Sequence, residues 1–248
     1  MTLRAPFATR GDHITIDLPG GRVLFSTRRG GVSEGRYVSL NLGRFTDDRP
    51  ADVEENRGRL AALAGVAADQ LLHGRQVHAA TVRRVTTMPH PGESPEPADG
   101  QATALRGVAP LVLTADCLPV ALVSPGAVAM VHAGWRGLAA GVLEEGVSAV
   151  RELGGGGELS AALGPAARVC CYEVGEEVHA HFADYGPEVR RGRCLDLPLA
   201  ARRRLEGAGV SEVWDSDLCT MCSDPSVFFS HRREGGVTGR QAGVVWRT

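Results

Sequence analysis

The chain has 248 residues, 43% of them hydrophobic and 23% charged, with a net charge of −2. This is the composition of an ordinary soluble globular protein of one large domain or two small ones, and it leaves no basic footprint for nucleic acid or an anionic membrane. All 27 basic residues are arginine, which excludes Schiff-base lysine chemistry and the P-loop lysine of common NTPases, and leaves any anion to guanidinium or backbone N–H groups.

The first twenty residues lack a long apolar h-region, so no secretory signal is expected and the cytoplasm is the default location. ITIDL and VLFST then read as strands. GVSEG at 31–35 matches G-x-S-x-G, but the RYVSLNLG that follows is not helical, so Ser33 reads as part of a glycine-rich turn. Residues 51–63 read as a helix, and HGRQVHAATVRRV carries His73 and His78 along a polar approach to a strand. MPHPGESPEPADG, 88–100, is an exposed loop by its prolines and acids. PLVLTA, VALVS and VAMVHA follow as strands. Asp116, Pro119 and Pro125 interrupt this apolar region, which makes it a set of buried strands and not a membrane helix. Ser124-Pro125-Gly126 is a hairpin turn. In 138–153, Leu138, Val142, Leu143, Val147 and Val150 share one helical face, and GGGG at 154–157 stops the helix. LSAAL, helices over 175–182 and 199–207, and a final GVVW strand complete the chain. Such a mixed order predicts an α+β or mixed α/β layered sandwich.

The chemistry concentrates in TADCLPVALVSPGAVAMVHAGWRG. A hairpin through the SPG turn brings Cys117 and His132 to the same end of a strand pair. That pair suits a thiolate–imidazole dyad, two metal ligands, or plain buried residues. His78 offers a third donor, and two nitrogens with one sulfur are a catalytic zinc set with an open position. Arg136 sits at a helix start where unpaired N–H groups attract anions, or else pairs with Asp116. The six cysteines read as thiols or ligands and not as a disulfide framework. CTMC at 219–222 could join Cys170 and Cys171 around a structural zinc or act as a redox pair, but the second C-x-x-C is missing. The zinc deaminase signature is also missing.

TRRGGVSEGRYVSLNLG, QVHAATV, ADGQAT, TADCLPV, HAGWRGLAAG, LGPAARVCCYEVGEEV and FFSHRREGGVTGRQAGVVW, in this order over 27–246, resemble the successive blocks of the YfiH-type family. That family is also called laccase-domain or polyphenol oxidase proteins, and purine nucleoside phosphorylases. The resemblance implies a single α/β/β/α sandwich domain over 1–248 and a zinc site at His78, Cys117 and His132, with these residues catalytic. It implies phosphorolysis of adenosine, inosine, guanosine and methylthioadenosine, a glycosyl transfer to phosphate, with adenosine deamination alongside, by a monomer or homodimer. Arginines suit the phosphate; the candidates are Arg75, Arg136 and Arg240. Ser39, Asn41, Tyr172 and Glu173 are candidates for sugar or base contacts. In QVHAATV, Ala79 stands where the family often has glycine, which leaves the ligand intact. His73, His179 and His181 match no motif position and read as surface or local structural residues.

Competing readings are a copper-dependent phenol oxidase, a Cys117–His132 hydrolase, and a non-catalytic metal-binding protein. Multicopper oxidation wants many histidines, and of the eight present only His78, His132 and His231 fall in the shared blocks.

Overall fold

Alternation along the strands decides which layer each side chain joins. The computed structural model describes residues 3–88, 90 and 94–248. In chain order its first elements are β1 (Ala8–Arg10), β2 (His13–Leu18), β3 (Gly21–Phe25), α1 (Pro50–Ala64), β4 (Leu71–Leu72), β5 (Val82–Val85) and β6 (Gly100–Thr103). The centre is β7 (Ala109–Thr114), β8 (Leu118–Val123), β9 (Val128–Ala133), α2 (Trp135–Ala139), α3 (Val142–Glu152) and β10 (Ser160–Leu163). The rest is α4 (Glu176–Ala180), β11 (Arg190–Arg191), β12 (Cys194–Leu195), α5 (Leu197–Gly207), β13 (Glu212–Asp215) and β14 (Gln241–Arg247). Two six-stranded sheets result, ordered β1-β2-β3-β14-β7-β4 and β13-β10-β8-β9-β6-β5, and β11 pairs with β12.

Successive residues of a strand face opposite sides. In the first sheet, Val23, Phe25, Val112 and Val245 face the second sheet, while Leu24, Leu111 and Val244 pack with Leu60, Ala61 and Ala64 of α1. In the second sheet, Ala121, Val123, Val128 and Met130 meet the first, while Val120, Leu122, Ala129 and Val131 join the cluster built with α3 and α5. The result is the expected mixed α/β fold, an α/β/β/α sandwich. Strands covered on both faces explain why PLVLTA, VALVS and VAMVHA read as nearly unbroken apolar runs.

The 138–153 helix is in fact two. Gly141 adopts φ 90 between α2 and α3, a conformation a side chain resists. The short polar strands β6 and β13 carry too little apolar pattern to be read from sequence. Pro89 and 91–93, within the 88–100 loop, lie outside the described residues. Among the described residues, no helix is long and apolar enough to cross a membrane.

The SPG turn closes the β8–β9 pair, with Ser124 N–H donating to the Ala127 carbonyl at 3.0 Å. A Cβ on Gly126 would run into the Gly154 carbonyl oxygen. Gly126→Ala should therefore lower stability by about 1–3 kcal/mol, seen as a lower denaturant midpoint at unchanged slope.

Candidate metal centre

Four neighbouring strands, β8-β9-β6-β5, deliver four residues to one end. β8 and β9 are antiparallel with Leu118 opposite Ala133 and Pro119 opposite His132, so Cys117, just before β8, lies beside the end of β9. β6 pairs antiparallel with β9, Gly100 opposite Val131, which puts Asp99 at the same end. β5 pairs parallel with β6, Val82 opposite Gly100, and His78 lies four residues before Val82.

Asp99 fastens this end together. Its carboxylate, fully buried, accepts the backbone N–H groups of Val77 (3.1 Å), His78 (2.9 Å) and Ala79 (2.8 Å). It also takes His132 Nδ1 at 2.8 Å. Captured N–H groups hold His78 at φ 60, a conformation uncommon for any residue but glycine. Asp99 on Nδ1 fixes the ring of His132 and leaves Nε2 for a ligand. Burial pushes the Asp99 carboxyl up, but His132 and the backbone donors outweigh it and bring it below the ordinary value.

Cys117 is set by a second carboxylate. Asp116 adopts φ 87, and its oxygens accept Thr220 Oγ1 (2.6 Å), Ser230 Oγ (3.0 Å) and Arg232 N–H (2.8 Å). Hydroxyl and backbone donors compensate this acid, and Arg136 is not its partner.

His78, Cys117 and His132 each point one ligand atom into a space where all three lie within 4.8 Å of one another. Cys117 Sγ and His78 Nε2 are 3.9 Å apart. Donors on one tetrahedral zinc, at about 2.0–2.3 Å from it, stand roughly 3.3–3.8 Å from each other, so the set fits with little adjustment. Gly134 leaves the room: a Cβ there would stand 3.0 Å from His78 Cδ2 and 3.2 Å from Cys117 Sγ. Burial pushes the Cys117 thiol up, but His132 and His78 overcome this and bring it down to about 6. Burial pushes His132 down, but Cys117 and Asp99 raise it to about 9. Cys117 and His132 thus each favour the charged form of the other, and a bound ion takes the place of the proton.

The three residues open into a cavity of about 430 Å³, within the range of small-ligand sites. Arg75 and Arg240 line it, and so do His231, Arg44, Arg57 and Phe45. Arg57 is 2% exposed, has no carboxylate within ion-pair distance among the described residues, and leaves its Nε without a partner. Burial and the charge of Arg44 lower it to about 10. Arg44 is committed to Glu54 through two hydrogen bonds, at 2.6 and 2.8 Å. His73 is also in the wall, not a surface residue. Arg44 Nη1 donates to its Nε2 at 3.1 Å, so that nitrogen carries no proton. Burial, Arg57 and Arg44 bring His73 down to about 4.

The other sequence candidates lie elsewhere. Ser39 is occupied inside its loop, accepting Gly31 N–H and donating to the Arg28 carbonyl. Asn41 is fully buried; its amide donates to Thr46 and Asp48 and accepts the N–H groups of Gly43 and Arg240. It shapes the 43–46 wall and does not reach into the space. Arg136 is exposed and stacks over Trp135, 4.3 Å from the ring centroid, on a helix of five residues. Tyr172 lies under Arg232, and Glu173 lends its carbonyl to Arg232; neither is among the described lining residues. Sequence reading missed Asp99, Arg44, Phe45 and Arg57. His179 is buried and contacts the Arg193 carbonyl, and His181 lies against Trp135, both local roles as expected.

Comparison with known proteins gives the family. Residues 22–248 match the family model described as multi-copper polyphenol oxidoreductase laccase. A purine nucleoside phosphorylase of Corynebacterium glutamicum is 37% identical, over 91% of this chain and 94% of the relative. The purine nucleoside phosphorylase YfiH of Escherichia coli is 39% identical, over 89% and 91%. The crystal structure of YlmD from Geobacillus stearothermophilus superposes with a TM-score of 0.88 at 33% identity, covering 97% of this chain and 98% of that one. The chain belongs to the YfiH-type, laccase-domain family.

Proposed function

We propose that this chain is a zinc-dependent purine nucleoside phosphorylase that transfers the ribosyl group of adenosine, inosine, guanosine or methylthioadenosine to phosphate, with adenosine deamination alongside. The observation that carries the proposal is one cavity with a His-Cys-His donor set at its floor and, in its walls, three arginines, Arg57, Arg75 and Arg240, that have no carboxylate partner among the described residues. The names borne by the relatives supply the substrate class.

Zinc suits two imidazoles and a thiolate, would be held by His78, Cys117 and His132, and would supply Lewis-acid polarisation at the floor. Asp99 keeps the proton of His132 on Nδ1 and so keeps Nε2 turned to the cavity. Arg57, Arg75 and Arg240 bind the phosphate; guanidinium groups meet its oxygens two at a time. Phe45 is 86% exposed at the cavity and offers a face on which the flat base stacks. Bound this way, phosphate stands beside the ribose. Its oxygen forms the new bond to the anomeric carbon as the bond to the base nitrogen breaks, and the proton that phosphate gives up passes to the base. The products are free base and ribose 1-phosphate, or 5-methylthioribose 1-phosphate from methylthioadenosine.

One observation favours a second reading. Cys117 Sγ and a ring nitrogen of His132 lie within 4.8 Å of each other, and a thiol beside an imidazole is also what a cysteine hydrolase uses. His78 supports the metal reading, because such a hydrolase has no use for a third donor. The test is a nucleoside panel with and without phosphate, read by product identity. Base release should require phosphate and fall away in Cys117→Ala. Full activity of Cys117→Ala in a metal-free preparation overturns the proposal; activity that survives chelation but dies on thiol alkylation installs the hydrolase instead.

Asp99→Asn should weaken zinc binding by about 10–100-fold, as for other carboxylates that orient a ligating histidine. Titration against a competing chelator measures this, with circular dichroism checking that the fold is kept.

His73 makes acid stability a reporter of the wall. Its folded value of about 4 lies below the ordinary 6.5. Above pH 6.5 both folded and unfolded forms are neutral, and the stability is fully present. As pH falls from 6.5 towards 4 the unfolded chain takes up a proton that the folded chain refuses, and stability is lost. His73→Gln should flatten this slope by an amount on the order of 1–3 kcal/mol, measured as the denaturation midpoint against pH.

A further inference from the structure

Four of the remaining cysteines converge at a second place. Cys170 and Cys171 sit on a turn after β10, where the N–H groups of Cys171 and Tyr172 both bond the Arg168 carbonyl. Cys219 and Cys222 sit on a turn after β13, closed by Ser223 N–H on the Cys219 carbonyl at 3.1 Å. A parallel bridge between Ala166 and Cys219 aligns the two turns, with Ala166 N–H on the Leu218 carbonyl and Thr220 N–H on the Ala166 carbonyl. The missing second C-x-x-C is therefore replaced by an adjacent pair that the fold brings across 48 to 52 residues of chain.

The sulfurs face one another. Cys170 Sγ lies 3.4 Å from Cys222 Sγ, Cys171 Sγ lies 3.4 Å from Cys219 Sγ, and Cys170 and Cys171 are 3.7 Å apart. All four lie within 4.8 Å of one another. Four thiolates at about 2.3 Å from one zinc form a tetrahedron with edges of roughly 3.8 Å, close to these separations. A second observation points the same way. The N–H of Cys222 is aimed at Cys219 Sγ at 3.4 Å, the turn-to-sulfur bond that stabilises a thiolate in a metal-binding knuckle. Thiols are weak hydrogen-bond groups, so contacts among four neutral thiols give little reason for such convergence. A soft divalent ion does.

We propose that Cys170, Cys171, Cys219 and Cys222 form a closed tetrathiolate site for one structural zinc ion, separate from the His78, Cys117 and His132 set. It would clamp the turn after β10 to the turn after β13. Thr220, inside the second turn, donates to Asp116 Oδ1 at 2.6 Å, so the clamp also steadies the residue that orients Cys117. Four protein sulfurs leave no open position, and the site takes no substrate.

The test uses the full chain carrying His78→Ala and Cys117→Ala, which disables the cavity site. One zinc per chain should remain, with a sulfur-only shell at about 2.3 Å by X-ray absorption. Cys219→Ser with Cys222→Ser in the otherwise native chain should cost one zinc per chain. If that variant does not fold, the sulfur-only shell of the first decides alone. A folded His78→Ala/Cys117→Ala chain without zinc overturns the proposal. So does a mass lowered by four hydrogens, which would show that Cys170–Cys222 and Cys171–Cys219 are disulfides. Failure of the cavity metal looks different: the native chain would then hold one zinc, with sulfur neighbours only.

Discussion

A single buried carboxylate sets the geometry of the candidate site. Asp99 is fully buried and would be costly to ionise there without compensation. Compensation comes from three consecutive N–H groups, of Val77, His78 and Ala79, and from the ring of His132. One acid thereby fixes a loop and a strand end at once, placing the backbone of one ligand and the ring of another. The left-handed backbone at His78 is costly by itself and persists because it lets neighbouring N–H groups converge on one anion.

Asp116 repeats the device on the other side. It too has left-handed backbone, and its oxygens are satisfied by Thr220, Ser230 and Arg232. These donors come from the segments after β13, far along the chain. The thiol of Cys117 is thus aimed by the C-terminal third of the protein, and His78 by its middle.

The limits of sequence reading follow from the same facts. The SPG turn and two apolar runs are local signals, and they suffice to set Cys117 beside His132. They say nothing of β6, whose GQAT text has no strong pattern, and so Asp99 immediately before it went unseen. The cysteine cluster failed for a related reason: spacing rules expect two C-x-x-C pairs, whereas here an adjacent pair meets one through an Ala166–Cys219 bridge. Arg57 lies on α1, where a charged residue reads as solvated surface, yet it is turned inward to the cavity wall. By contrast, a mixed α/β layered sandwich was legible from the order of strands and helices, and the α/β/β/α arrangement followed from the family resemblance; in the structure Val244/Val245 and Leu111/Val112 sort to opposite faces.

On the proposed reaction, charge gives the substrate a direction. Asp99 and Asp116 lie beneath the donor set, each satisfied by its own donors. The walls hold Arg57, Arg75 and Arg240, and burial, followed by the charges of Arg57 and Arg44, opposes protonation of His73 among them. A phosphate is therefore drawn to the walls, where Arg57, Arg75 and Arg240 have no carboxylate partner among the described residues. A neutral His73 matters here: its Nε2 is taken by Arg44, and this contact holds a guanidinium in the wall without adding a proton that low pH would have to supply. The stacking face of Phe45 lies on the same loop as Arg44, and Asn41 shapes that loop from beneath. Asn41 reaches the substrate only through this loop, so a change there would alter where base and phosphate sit relative to each other and leave the donor set at the floor as it is.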